Sequence, residues 1–161
     1  MVSVLVILRH RPRGLAQWFM LPPEFGSGDS LVLDIHDLKD VTKTAVNVQA
    51  YCSEHGIGGK TGTYAALCLE EIAGNIVSHG FEADRRHHHH IEVRVVIKDG
   101  SVVLRIKDDC IPFNPQEWYD MVDPGKNPAS NIGIRLVYGL AQEVKYQNLL
   151  GLNVLTIKLS V

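Results

Sequence analysis

Glu71, Asn75 and His79 follow one another at intervals of four within Leu69-Glu70-Glu71-Ile72-Ala73-Gly74-Asn75-Ile76-Val77-Ser78-His79-Gly80. On a helix that spacing places a carboxylate, an amide and an imidazole on one face. A carboxylate takes up a proton, and an amide oxygen holds a hard cation. Apolar residues surround the row, so it is expected to line a cavity inside a folded domain.

Two further segments carry polar groups where chemistry needs them. Asp108-Asp109-Cys110-Ile111-Pro112-Phe113-Asn114-Pro115 ends a strand and opens a long loop. An acidic side chain at a strand end accepts a hydrogen bond from an exocyclic amine such as that of adenine. The competing reading is a pair of solvated turn residues. Asn131-Ile132-Gly133-Ile134-Arg135-Leu136-Val137 ends that loop and starts a helix. Free N–H groups and the helix dipole favour an anion there, and a glycine lets the backbone approach it. The competing reading is an ordinary helix start capped by Ser130 or Asn131.

The elements that position these groups follow from periodicity. Leu31 to His36 alternates as a strand. Asp37 caps a helix whose apolar residues Leu38, Val41, Ala45, Val48 and Tyr51 recur at helical spacing, stopping near His55-Gly56. After Gly58-Gly59, a second helix runs from about Lys60 to His79, with Gly80 as its stop. Ile91–Ile97 and Ser101–Asp108 are strands joined by the hairpin dipeptide Asp99-Gly100. Cys110 to about Ser130 reads as irregular, with four of the seven prolines. A third helix covers about Asn131 to Ala141. Strands Glu143–Gln147 and Asn153–Leu159 close the chain around Gly151. Two strand pairs with short turns, and helices before and between them, predict an α+β fold. Its form is a two-layer sandwich, a mixed, mostly antiparallel sheet covered on one face by helices.

The 161 residues suit one core-bearing domain, read as residues 31–161. Residues 1–30, punctuated by prolines and Gly26-Ser27-Gly28, read as an N-terminal extension or linker, part of which packs through Trp18 and Phe19. A net charge of −2 gives no sign of a nucleic-acid surface. Cys52, Cys68 and Cys110 lack metal-ligand spacing, and their odd number fits a reducing, cytoplasmic setting. The apolar run Val2–Leu8 is too short to span a membrane. Its arginines follow rather than precede it, so no targeting segment is expected. The run His87-His88-His89-His90 is read as a solvated loop, because alternate residues approaching a strand point to opposite faces, with adventitious metal binding as the lesser alternative. His79 is expected as a buried, hydrogen-bonded histidine at a helix end, and Cys110 as a packed, inert thiol.

Taken in order, the three motifs resemble the ATP-binding domain shared by type II topoisomerases, heat-shock 90 chaperones, sensor histidine kinases and mismatch-repair ATPases. Within that superfamily the chain is most similar to the anti-sigma factor serine/threonine kinases. Leu69–Gly80 looks like their first motif. Ile106–Pro115 looks like their second, usually Asp-Asp-Gly followed by Pro-Phe-Asp-Pro. Asn131–Val137 looks like their third, usually Gly-Gly-x-Gly-Ile. The likeness spans about residues 30–160 and implies the Bergerat ATP-binding fold.

The resemblance implies ATP and Mg²⁺ as ligands. Glu71 would be the general base toward a serine hydroxyl, and Asn75 the Mg²⁺ ligand. Asp108 would hold the adenine amino group, with Cys110 and Phe113 beside it. Asn131, Ile132 and Gly133 would meet the phosphates, Lys126 would contact the γ-phosphate, and the loop between motifs would be a lid. It also implies a sigma factor or similar client and a small anti-anti-sigma protein as partners, with homodimerisation common among such kinases and neither nucleic acid nor membrane involved. Cys110 replaces the second-motif glycine, and Ser130 and Asn131 replace two lid glycines. These departures support an alternative: a non-catalytic protein-binding module with a degenerate nucleotide site. The catalytic domain of a sensor histidine kinase ranks below both, because no dimerisation helix pair with a phospho-acceptor histidine is seen.

Overall fold

The computed structural model describes residues 30–83, 89–121 and 131–160. The expected extension at residues 1–30 and the lysine at 126 lie outside the described residues, apart from Ser30. In chain order the elements are β1 (Leu31–Ile35), α1 (Leu38–Glu54), α2 (Gly59–Asn75), a π-helical turn (Ile76–Gly80) and α3 (Phe81–Ala83). They continue with β2 (Ile91–Lys98), β3 (Ser101–Asp108), α4 (Pro115–Met121), α5 (Ile132–Leu140), β4 (Glu143–Leu149) and β5 (Leu152–Leu159).

Local chemistry explains these boundaries. Asp37 starts α1 by accepting the N–H groups of Lys39 and Asp40 on Oδ1 at 2.8 and 2.9 Å. Asp40 Oδ2 reaches back to the N–H of His36 at 3.0 Å. Both hairpins turn through paired residues at positive φ, Asp99 (51°) with Gly100 (74°) and Leu150 (55°) with Gly151 (79°). Two successive residues in that region match the right-handed twist of the flanking strands. Gly62 lets α2 approach α1: a methyl group there would stand 3.1 Å from Cys52 Cβ.

The sheet has the order β1-β2-β3-β5-β4. All four pairings are antiparallel, so the described sheet is antiparallel throughout rather than mixed. The core lies between this sheet and the helices. Val48, Cys52, Ala65, Cys68 and Leu69 from α1 and α2 pack with Ile91, Val93, Leu104, Ile106 and Ile157 from the strands. This is the expected α+β sandwich. At about 25 cal/mol per Å² of apolar surface, burying each such Leu or Ile contributes roughly 1.5–3 kcal/mol before the entropy of ordering it is subtracted.

Two expectations fail locally. Gly80 does not stop the second helix. The N–H of Phe81 bonds Ile76 O across a π-helical turn, and the chain stays helical to Ala83. The loop after β3 is not wholly irregular, since α4 forms within it. Pro115 suits the first helical position, where no donor is needed. Asn114 Oδ1 accepts the N–H of Gln116 at 3.1 Å, which supplies the cap.

Candidate nucleotide site

A cavity of about 480 Å³ opens between the end of α2, the end of β3, the start of α5 and the β4–β5 hairpin. That volume lies within the range of small-molecule sites. Ile72, Ile76, Ile134 and Leu155 provide much of its apolar wall, and Asn75, Asp108, Asn131 and Asn153 bring polar side chains to it.

Asp108 sits at the end of β3, only 7% exposed. Its Oδ1 accepts the N–H of Cys110 at 2.9 Å and Asn153 Nδ2 at 2.8 Å. Burial pushes the carboxyl above its ordinary range, while these hydrogen bonds and one from the Cys110 side chain pull the other way. A solvated turn residue would have neither the burial nor the partners, so that reading of Asp108 is excluded.

Asn153 is the residue that inspection of the motifs missed. Sheet register sets it opposite both Asp108 and Asn148. Its Nδ2 donates to Asp108 and to the carbonyl of Cys110 at 3.1 Å. Its Oδ1 accepts Tyr146 OH at 2.8 Å and Asn148 Nδ2 at 2.9 Å. One buried amide thus ties β3, the following loop and the β4–β5 hairpin together. A buried polar network with its members paired fixes side-chain orientation. The only advance signal was a polar residue next to an apolar strand run.

Cys110 is buried, at 5% exposure, and lines the same cavity. Gly80 makes room for it: a methyl group at Gly80 would lie 3.3 Å from Cys110 Sγ. The expectation of a packed thiol therefore fits its placement. Phe113 also lines the cavity and remains 42% exposed, its ring 5.7 Å from that of Trp118 on α4.

The row of Glu71, Asn75 and His79 separates. Asn75 and His79 line the cavity, but Glu71 does not. Its carboxylate packs against Gly133 at the start of α5, in the space that a Cβ at Gly133 would require. Glycine at this position therefore makes room for the chain's own carboxylate beside a helix N-terminus, a favourable place for negative charge. His79 is exposed, against the expectation of a buried histidine. A π-helical turn, Ile76–Gly80, holds His79, which still faces the cavity with Asn75.

Asn131 adopts the left-handed conformation (φ 54°) just before α5. Asn tolerates this better than most residues. Its Nδ2 is buried with no hydrogen-bond partner among the described residues, and Asn131 lines the cavity. Ile132 is 61% exposed and is not among the lining residues. Ser130, like Lys126, falls outside the described residues.

The profile of the family described as "Histidine kinase-like ATPase domain" (HATPase_c_2) matches residues 36–159. The chain belongs to this family. Among solved structures, the histidine kinase AdeS of Acinetobacter baumannii is similar, with 14% identity and a TM-score of 0.44 over 99% of this chain and 79% of that one. No curated protein matches the chain in sequence. Among the described residues, no helix is long and apolar enough to cross a membrane.

The cavity's chemistry suits the nucleotide that the family implies. A buried acceptor at one end fits an exocyclic amine, and the orphaned Asn131 amide at another edge is a donor for an anionic group. Asn75 offers one neutral oxygen donor, compatible with Mg²⁺, which usually keeps several waters and binds few protein ligands.

Proposed function

We propose that this histidine kinase-like ATPase domain binds Mg-ATP and acts as a serine/threonine protein kinase of the anti-sigma type. It phosphorylates a small anti-anti-sigma protein on a serine hydroxyl and sequesters a sigma factor or a similar client. The observation that carries the nucleotide reading is the buried Asp108 carboxylate, oriented by Asn153 and the Cys110 N–H. An acceptor held in this way pairs with the adenine amino group and leaves the apolar wall for the ring faces.

At the other end, Asn131 Nδ2 and the first turn of α5 offer donors to phosphate oxygens. Bound Mg²⁺ would neutralise phosphate charge, and Asn75 is the residue to hold it. Phe113 and Trp118 also line the cavity, each nearly half exposed. Glu71 takes the serine proton, which requires its carboxylate to turn away from Gly133. Three ordered motifs, found by resemblance, support the anti-sigma assignment. A cytoplasmic location and a homodimer belong to the same reading.

Glu71 also supports a second reading, since its carboxylate faces α5 and not the cavity. Under it, the protein is a non-catalytic module that binds a regulatory partner, and its degenerate nucleotide site transfers no phosphate. Calorimetric titration with Mg-ATP, comparing wild type with Asp108→Asn, tests nucleotide binding. Absence of binding to the wild type refutes the kinase reading. Phosphate transfer to a cognate partner, abolished by Glu71→Ala, selects the kinase; binding without transfer selects the module.

A further inference from the structure

The histidine run was expected to be a solvated loop, yet His89 is buried. Its side chain is 3% exposed, and its Nδ1 lies 3.0 Å from Oδ1 of Asp109, whose side chain is 9% exposed. Phe81 stacks on the imidazole, with ring centroids 5.4 Å apart and planes inclined by 25°. Cys110 completes the group: one ligand atom from each of His89, Asp109 and Cys110 lies within 4.8 Å of the others. The neighbouring His90 is less buried and has its ring 6.0 Å from that of His36.

We propose that His89, Asp109 and Cys110 form a binding site for one zinc-class divalent ion beside the nucleotide cavity. The imidazole, carboxylate and thiolate make a nitrogen, oxygen and sulfur donor set. Such a set suits Zn²⁺ and disfavours Mg²⁺ and Ca²⁺, which take oxygen ligands. Ligand bonds of about 2.0–2.3 Å place tetrahedral donor atoms roughly 3.3–3.8 Å apart. The present separations, none above 4.8 Å, thus require donors to close by about 1.5 Å at most, and the His89–Asp109 pair at 3.0 Å to open by about 0.3 Å. Phe81 restricts the imidazole, and Gly80 leaves space for the sulfur.

Binding is an exchange of protons for the metal. The Cys110 thiol, otherwise a donor to Asp108, gives up its proton to become a ligand, and a proton shared by His89 and Asp109 is displaced. Three protein donors leave the fourth tetrahedral position to water. The site stands on its own geometry and needs no nucleotide.

The test is a titration of the full chain with Co²⁺, which replaces Zn²⁺ and reports thiolate coordination as a charge-transfer band in the near ultraviolet. One Co²⁺ per chain with that band, displaced by Zn²⁺, is expected. The band should persist in His87→Ala/His88→Ala/His90→Ala and in Cys52→Ser/Cys68→Ser. It should vanish in Cys110→Ser. In His89→Gln the affinity should fall by more than roughly tenfold, since loss of an outer-shell partner alone costs about that much. Circular dichroism checks that each variant folds. A wild type without the band overturns the proposal. So does a band that survives in folded Cys110→Ser, or binding lost with the three other histidines.

Discussion

At the Asp108 end of the cavity, the polar groups are tied to one another through Asn153, Tyr146 and Asn148. At the α5 end, Asn131 Nδ2 is buried without a partner among the described residues, and Glu71 packs against Gly133. One end is organised before any ligand arrives. The other contains a donor in need of an acceptor and a carboxylate beside the helix that would receive phosphate. In the proposed kinase reading, the contrast separates recognition from transfer: the first rests on a fixed network, while the second requires Glu71 to move.

The sharpest way to break this contrast is to remove the network's hub. Asn153→Ala is expected to lower stability by about 3 kcal/mol, because it deletes a bond to a buried carboxylate and leaves several groups unpaired. Urea unfolding would register this as a lower midpoint. A change close to zero would mean that the network does not organise that end.

At the opposite end, Gly133→Ala puts a methyl group into the space of the Glu71 carboxylate. A destabilisation of about 1–3 kcal/mol is expected, the usual range for overpacking. Glu71→Ala should relieve much of it, giving a double-mutant coupling of about 0.5 kcal/mol or more. Additive effects would contradict the contact.

Titration sharpens the comparison further. Burial raises the pKa of Asp108, so the folded state holds its proton to higher pH than the unfolded state does. Its contribution to stability therefore falls as pH rises from the ordinary aspartate value through the raised folded value, and levels off above it. Asp108→Asn should remove that part of the pH dependence in denaturation curves. An unchanged profile would assign the dependence to other groups.

The smallest structural effect is expected at Asn131. Glycine adopts its left-handed conformation easily, so Asn131→Gly should change stability by no more than about 0.5 kcal/mol. Mg-ATP affinity should nevertheless fall, because the orphaned amide is gone. If calorimetry finds the affinity unchanged, Nδ2 is not a phosphate donor.

Local patterns in the sequence revealed all five strands and the three longer helices, because alternation, helical periodicity and turn residues act over short distances. Asp108 and Asn75, singled out from their motifs, both line the cavity. Asn153 was hidden because its importance comes from register: it pairs across the sheet with Asp108, 45 positions away. Burial of His89 was hidden similarly, since Asp109 and Phe81 approach it through the tertiary fold. The start of α4 was legible in Asn114-Pro115, a cap followed by a first-turn proline, but the surrounding prolines masked it. Regular four-residue spacing could not anticipate the π-helical turn at Ile76–Gly80.

The most direct test of the central claim is a calorimetric comparison of Mg-ATP with Mg-GTP on the wild type and on Asp108→Asn at neutral pH. Adenine presents an amine where guanine presents a carbonyl oxygen, so a buried carboxylate should accept the first and repel the second. Saturable ATP binding is expected, with GTP weaker by roughly tenfold or more, and with that preference reduced in Asp108→Asn. Equal binding of the two nucleotides, or no ATP binding at all, would contradict the assignment of Asp108 as the adenine acceptor.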